Sequence, residues 1–274
     1  MDTYIQALVM GVVQGLTEFL PVSSSGHLII VPALLGWHDP FITSLVFSVM
    51  LHIGTLAALL IYFRADWLRL IPAGFATIRD RSFDGDSDRR LAWLLAVATV
   101  PALVIGVLLN DPIESQFREP GRVAVLLVVG GAILWLAERA GSRRLLEVDL
   151  TFPRALGIGL AQSLALFPGI SRSGISIAAG LFTGLKRDSA ARFSFLMATP
   201  VTAAAAAYEG LKVIKGDAGV DVQGGPLLVG LVASFIFGIF AIAVLLRFLR
   251  THSTDIFVAY RIVIAAVVLV WWLR

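Results

Sequence analysis

The sequence predicts an all-α, polytopic integral membrane protein: six transmembrane helices plus two re-entrant helical hairpins, arranged as an inverted-topology repeat. Three observations lead there. Apolar runs long enough to cross a bilayer recur along the whole chain. Two further apolar stretches are interrupted near their middles by Pro, Gly and Ser. Polar residues of the first half recur in the second at a nearly constant offset.

Composition agrees with the first observation. Of 274 residues, 58% are hydrophobic and 15% charged, with a mean hydropathy of +0.86. A soluble domain carries about 25% charged residues. The runs are continuous rather than alternating, which argues against a β-barrel. No basic n-region or small-residue cleavage site precedes the first polar cluster, so no cleavable signal is expected. The lack of cysteine excludes disulfides and thiolate metal sites. Basic cytoplasmic loops account for the pI of 9.6 without a nucleic-acid partner.

In chain order, the expected spans are 41–63, 91–109, 123–137, 192–208, 227–248 and 256–273. Regions 4–36 and 152–184 are apolar but broken, and each half is too short to cross comfortably. Each reads as a helix pair that enters and leaves on one side, with its tip at membrane depth. Irregular backbone survives there only when buried in protein or lining a wet cavity. The loop 64–90 carries Arg64, Arg69, Arg79, Arg81, Arg89 and Arg90, which places it in the cytoplasm. Loops 138–154 and 247–254 are basic too. Loops 110–121 and 209–226 are mixed or acidic, as expected outside. Both termini then lie outside, the first hairpin opens outward and the second inward. Asp84, Asp86 and Asp88 have the spacing that opens a calcium loop, but no glutamate follows where one is needed.

A shift of 148 positions lays Gln14 on Gln162, Phe19 on Phe167, Ser23 on Ser171, Ser25 on Ser173 and Gly26 on Gly174. A similar shift pairs FSVMLHIGT (47–55) with FSFLMATPV (193–201). Each half holds one hairpin and three spans, and an odd number of spans inverts the second copy. One membrane domain, 1–274, is therefore expected, built from a first repeat, 1–144, and an inverted second, 145–274. Its site belongs at the midplane, where the broken elements meet.

The first polar cluster is QGLTEFLPVSSSGH, 14–27. Gln14 and Glu18 are four apart and share a helix face. The helix stops near Pro21, and Ser23, Ser24 and Ser25 stand where another begins. Serine caps helix starts, and a helix N-terminus offers free N–H groups and a positive dipole end to phosphate. His27 follows Ser24 by one turn, so a hydroxyl nucleophile has a candidate base in reach. The spacing does not choose among the three serines, nor between serine and an activated water. The second cluster is PGISRSGIS, 168–176. Gly169 permits conformations other residues resist, and Ser171 and Ser173 flank Arg172 near a helix start. An arginine at membrane depth costs about 2.5–3.5 kcal/mol on insertion scales. Glu18 is the acid of the candidate site, and one carboxylate leaves positive character to spare. An anionic substrate supplies the rest, and phosphate suits the guanidinium fork. Ser25, Ser173 and Ser176, taken singly, read equally well as packing or capping residues. His52 reads as a hydrogen-bonded core residue rather than a catalytic one.

These stretches resemble the undecaprenyl-diphosphate phosphatases of the bacitracin-resistance type. The family's first motif, Glu or Gln, three residues, then Glu, is similar to Gln14–Glu18. PVSSSGH resembles the run that ends in histidine, and Pro168–Ser173 resembles Pro-Gly-x-Ser-Arg-Ser. Gln14 stands where some members carry Glu. Ser176 stands where the second motif often has Thr, and it keeps the hydroxyl. The resemblance implies a membrane hydrolase that removes the terminal phosphate of undecaprenyl diphosphate, recycling the carrier lipid for envelope polymers and giving bacitracin resistance. It implies a divalent cation, Mg or Ca, at Glu18 and Gln14, and a pocket facing the periplasm from the bacterial inner membrane. Catalysis is expected from Ser24, His27, Glu18 and Arg172. Substrate binding is expected from Gln14, Ser23, Ser25, Ser171, Ser173, Ser176 and Gly169. The expected partners are a polyprenyl diphosphate lipid, membrane lipids and a second copy in a homodimer. The competing expectation is a transporter or flippase of prenyl phosphate lipids, since inverted repeats with broken helices also build carriers.

Overall fold

The computed structural model describes residues 2–83, 85–216 and 219–274; Asp84, of the rejected calcium loop, lies outside them. Among the described residues the chain is helical and contains no strand, apart from one isolated bridge between Leu145 and Leu185. The helices are α1 (Thr3–Phe19), α2 (Ser24–Leu35), α3 (Leu45–Tyr62), α4 (Arg64–Asp80), α5 (Ser87–Phe117), α6 (Pro120–Ala140), α7 (Phe152–Gln162), α8 (Arg172–Phe182), α9 (Arg187–Lys215), α10 (Gly224–Phe248) and α11 (Asp255–Trp272).

Six of these are long and apolar enough to cross a membrane: α3, α5 over Ser87–Leu109, α6, α9, α10 and α11. They coincide with the six spans read from the sequence. The two broken stretches are two helix pairs, α1–α2 and α7–α8, of 17, 12, 11 and 11 residues. A single turn of 3-10 helix, Ser163–Leu166, follows α7.

The two pairs open toward opposite ends. At the start of α1, the Thr3 hydroxyl donates to Asp39, just beyond α2, at 2.9 Å. The start of α10 is close by, since a Cβ on Gly225 would sit 2.4 Å from the Tyr4 hydroxyl. At the mouth of the second pair, Phe152 packs on Phe83 with ring centroids 5.9 Å apart. Arg90 donates to the Leu150 carbonyl at 2.7 Å. The basic loops meet at that second end. Arg192 bridges Asp66 (2.5 Å) and Glu147 (2.9 Å), and Arg139 pairs with Asp255 at 2.6 Å. Glu138, 4% exposed at its side chain, receives Arg143, Arg187 and the Thr254 hydroxyl and N–H. A buried carboxylate needs such full satisfaction.

The sequence reading of 64–90 as a plain loop is corrected by α4. Its Trp67, Leu70, Ile71, Phe75 and Ile78 recur at helical spacing. The six arginines of the segment masked that stripe. Close packing brings α1 and α3 onto α10. A Cβ on Gly15 would lie 2.7 Å from the Ser234 carbonyl oxygen, and one on Gly54 would lie 2.0 Å from the Ser234 hydroxyl. Small residues at such crossings let membrane helices approach closely. The approach matters here because α1 carries Glu18 and α3 carries His52.

Candidate functional site

The chain breaks twice in the same way. Ser23 (φ 77°) and Ser171 (φ 76°) both take positive φ, and each caps the helix that follows. The Ser23 hydroxyl accepts from Gly26 N–H at 3.3 Å, and the Ser171 hydroxyl accepts from Gly174 N–H at 3.1 Å. Such backbone costs about 1–3 kcal/mol per residue and persists only where its surroundings over-determine it. Here each tip is held by the other. Gly169 N–H donates to the Ser23 hydroxyl at 3.1 Å, and the Ser173 hydroxyl donates to the Leu20 carbonyl at 2.9 Å. Gly169 has φ 110°, and a Cβ there would lie 2.6 Å from the Val123 carbonyl oxygen. Only glycine meets both demands.

The Ser23 oxygen accepts from two N–H groups, which leaves its own hydrogen for Ser25, 3.4 Å away. By the same count Ser171 donates to Ser173, 3.2 Å away. These four hydroxyls form the joint between the tips. Ser24 is free of that joint. Its hydroxyl donates to Glu18 Oε2 at 2.5 Å.

Glu18 is the hub. Its Oε1 is paired with Arg172. Its Oε2 receives Ser24 and the Gln14 amide (3.0 Å) and lies 3.4 Å from His52 Nε2. Arg172 also donates to the Thr202 hydroxyl and to the Ala198 carbonyl at 3.3 Å. Ser176 donates to the Arg172 carbonyl at 2.6 Å and meets the Ser194 hydroxyl at 2.6 Å. The Glu18 side chain is 3% exposed, against 18% for Arg172 and 22% for His52. The carboxylate is buried, whereas the cation, the imidazole and Ser24 are each partly exposed.

The structure thus brings Gln14, Glu18, Ser24 and Arg172 together and makes Ser23, Ser25, Gly169, Ser171 and Ser173 their frame. His27 departs from expectation. Its Nδ1 lies 2.7 Å from the Ser23 carbonyl, which can only accept, so Nδ1 carries the hydrogen. Its Nε2 meets the Tyr260 hydroxyl at 2.8 Å, and the two rings stack at 5.6 Å. The expected Ser24–His27 pairing is not made in this arrangement, because the imidazole turns toward α11. His52 departs in the other direction. It is hydrogen-bonded, with Nδ1 2.9 Å from the Ser48 carbonyl, yet it lies in the site beside Glu18. Arg261 joins the site's frame without an expectation from the sequence, although an arginine inside the apolar span 256–273 is itself a signal.

No group of three or more His, Cys, Asp or Glu that could hold a metal occurs among the described residues. The site does offer the Glu18 carboxylate and Gln14 Oε1, a buried oxygen with no hydrogen-bond partner among the described residues. That donor set fits a cation that takes its remaining ligands from phosphate and water, as magnesium does. It does not fit a caged resident ion. Two cavities, of about 340 and 470 Å³, lie elsewhere. The first is at the basic end around Arg192 and Arg250. The second is apolar, between α4, α5 and Pro200 of α9.

The chain is similar to known proteins over nearly its whole length. A family model described as bacitracin resistance protein BacA matches residues 7–267. A protein of Desulforudis audaxviator named undecaprenyl-diphosphatase is 44% identical over 265 residues, covering 97% of this chain and 96% of its own. A protein of the same name from Gemmatimonas aurantiaca is 45% identical over 268 residues, covering 97% of each chain. Another, from Methanosphaera stadtmanae, is 41% identical over 275 residues with the same coverage.

Proposed function

The chain belongs to the bacitracin resistance protein BacA family, and from that premise we infer that it is a membrane phosphatase acting on undecaprenyl diphosphate. It yields undecaprenyl phosphate and inorganic phosphate, returns the carrier lipid to envelope synthesis, and so gives bacitracin resistance. The single observation that carries a catalytic role is the contact of Ser24 with Glu18 and of Glu18 with Arg172 across two chain breaks. A carrier would need the cation but has no use for an activated hydroxyl.

In the proposed reaction, the Ser24 oxygen attacks the terminal phosphorus in line with the bridging oxygen. The bond between that phosphorus and the bridging oxygen breaks, and undecaprenyl phosphate leaves with the electron pair. The Ser24 proton passes to the group that already accepts its hydrogen bond, Glu18. Water then attacks the phosphoserine, the bond from phosphorus to the Ser24 oxygen breaks, Glu18 returns its proton to that oxygen, and inorganic phosphate leaves with the hydrogens of the water. Arg172 exchanges its contact with Glu18 for phosphate oxygens, so the buried carboxylate and the incoming anion share one cation in turn. The N–H groups at the starts of α2 and α8 add to that field. Ser23, Ser25, Ser171, Ser173 and Gly169 hold the amides in place, and Ser176 braces the Arg172 carbonyl. His27 holds α2 against α11 rather than moving the proton. A divalent cation, Mg or Ca, would be held by Glu18 and Gln14 and would neutralise charge on the diphosphate.

The helix pairs α1–α2 and α7–α8 are proposed to be re-entrant hairpins of two inverted repeats, 1–144 and 145–274. Their opposite mouths, meeting tips and matched caps support that reading. The end where the basic loops gather is assigned to the cytoplasm. The first hairpin then opens to the periplasm of the bacterial inner membrane, and its mouth admits the lipid headgroup. A homodimer is the proposed assembly.

Purified protein in detergent, given undecaprenyl diphosphate, should release inorganic phosphate, and Ser24→Ala should lower that rate by about 10³-fold or more. Tight binding of the lipid with no phosphate release would favour the carrier.

A further inference from the structure

We propose that Arg261 is the positioning residue that locks the two hairpin tips into one site. The inference deepens the phosphatase reading and rests on it for the kinetic arm of its test. Arg261 stands in the middle of α11, is fully buried, and is the largest side chain among the described residues to be so. No carboxylate pairs with it among the described residues. Its donors go to main-chain carbonyls of three separate segments. Nη1 donates to Pro21 at 3.2 Å, in the first break. Nη2 donates to Gly169 at 2.7 Å and Ile170 at 3.0 Å, in the second break. Nε donates to Leu127 of α6 at 2.9 Å.

The carbonyls of Pro21, Gly169 and Ile170 have no helical partner of their own, because the chain is interrupted where they lie. Unsatisfied carbonyls in a membrane interior are costly. One planar guanidinium, with its donors in a fixed fork, answers both breaks at once. The surroundings are shaped around it. A Cβ on Gly130 would lie 2.3 Å from Nη2, and one on Gly174 would lie 3.1 Å from Nη1. The neighbouring Tyr260 holds His27 from the same turn of α11. Among the described residues, neither Arg261 nor Tyr260 bonds to Ser24 or Glu18. Arg261 therefore acts through backbone position: it sets where Ser24 and Arg172, each within three residues of a clamped carbonyl, stand relative to one another. Lysine cannot replace it, since a compact ammonium cannot span the same carbonyls.

The test compares Arg261→Lys, Arg261→Met and Gly130→Ala with wild type, each purified as a monodisperse full chain. Two readouts are taken: phosphate release from undecaprenyl diphosphate, and backbone hydrogen exchange. All three variants should raise exchange in residues 20–27 and 167–174 together by about tenfold or more, with residues 227–248 unchanged. Their kcat should fall by about 100-fold, with KM changing much less. Arg261→Lys should fail to rescue, and Gly130→Ala should reproduce the defect with the guanidinium still present. Exchange rising uniformly through all helices would mean a merely structural role and overturn the proposal. So would folded variants whose tips stay protected or whose kcat stays within threefold of wild type. If wild type itself releases no phosphate, the phosphatase reading fails. The exchange arm then judges the clamp alone, and unchanged tips would overturn it.

Discussion

At Ser23 and Ser171 the backbone does the same thing twice. Each serine takes a positive φ, caps a helix, accepts from the glycine three residues on and sits beside a second hydroxyl two residues on. At the next position the two tips part. One presents Ser24, the other Arg172. Behind them the divergence repeats: Gln14 has Glu18 one turn later, whereas Gln162 has Leu166. Gln14 donates to that carboxylate, while neither atom of the Gln162 amide has a hydrogen-bond partner among the described residues. One backbone frame, used at two tips, carries different chemistry at each. Both tips supply a strained turn and a helix N-terminus. Only the first supplies a hydroxyl with a carboxylate behind it, and only the second supplies the cation.

If that division of labour is right, the largest losses should come from the diverged positions. Ser24→Ala should reduce phosphate release by about 10³-fold or more, and Arg172→Lys by about 10²–10³-fold, with helical content unchanged by circular dichroism. The shared frame should be next. Gly169→Ala must place a side chain at φ 110° against the Val123 carbonyl. It should cost about 1–3 kcal/mol of stability in thermal unfolding and about 10²-fold in turnover. Tyr260→Phe keeps the stacked ring but removes the hydroxyl from His27, and should cost about tenfold in turnover. His52→Gln should be mildest, about threefold to tenfold, because Glu18 keeps Arg172, Gln14 and Ser24. A His52 effect as large as that of Ser24 would erase the ranking and make α3 a full catalytic partner.

Much of this was legible in the chain. Pro21 and the Pro168–Gly169 pair marked both breaks, and the 148-residue offset paired the two serines that take the same positive φ. The spans were legible because crossing a bilayer imposes length and apolarity directly on sequence. What escaped was whatever depends on a distant partner. His27 follows Ser24 by one turn, yet its ring is fixed by Tyr260, 233 residues away. His52 looked like an ordinary span residue until packing against α10 set it beside Glu18. The α4 stripe was hidden by the six arginines scattered through residues 64–90. Arg261 was visible as an intramembrane charge, but its role required knowing which carbonyls the breaks leave unpaired.

The most direct test of the central claim uses undecaprenyl diphosphate labelled at its terminal phosphorus and quenched within one turnover. The account predicts a phosphoserine at Ser24 in wild type, and almost none in Arg172→Lys, because the two tips act on the same phosphoryl group. Label on another residue, or full labelling of Ser24 without the Arg172 guanidinium, would contradict it.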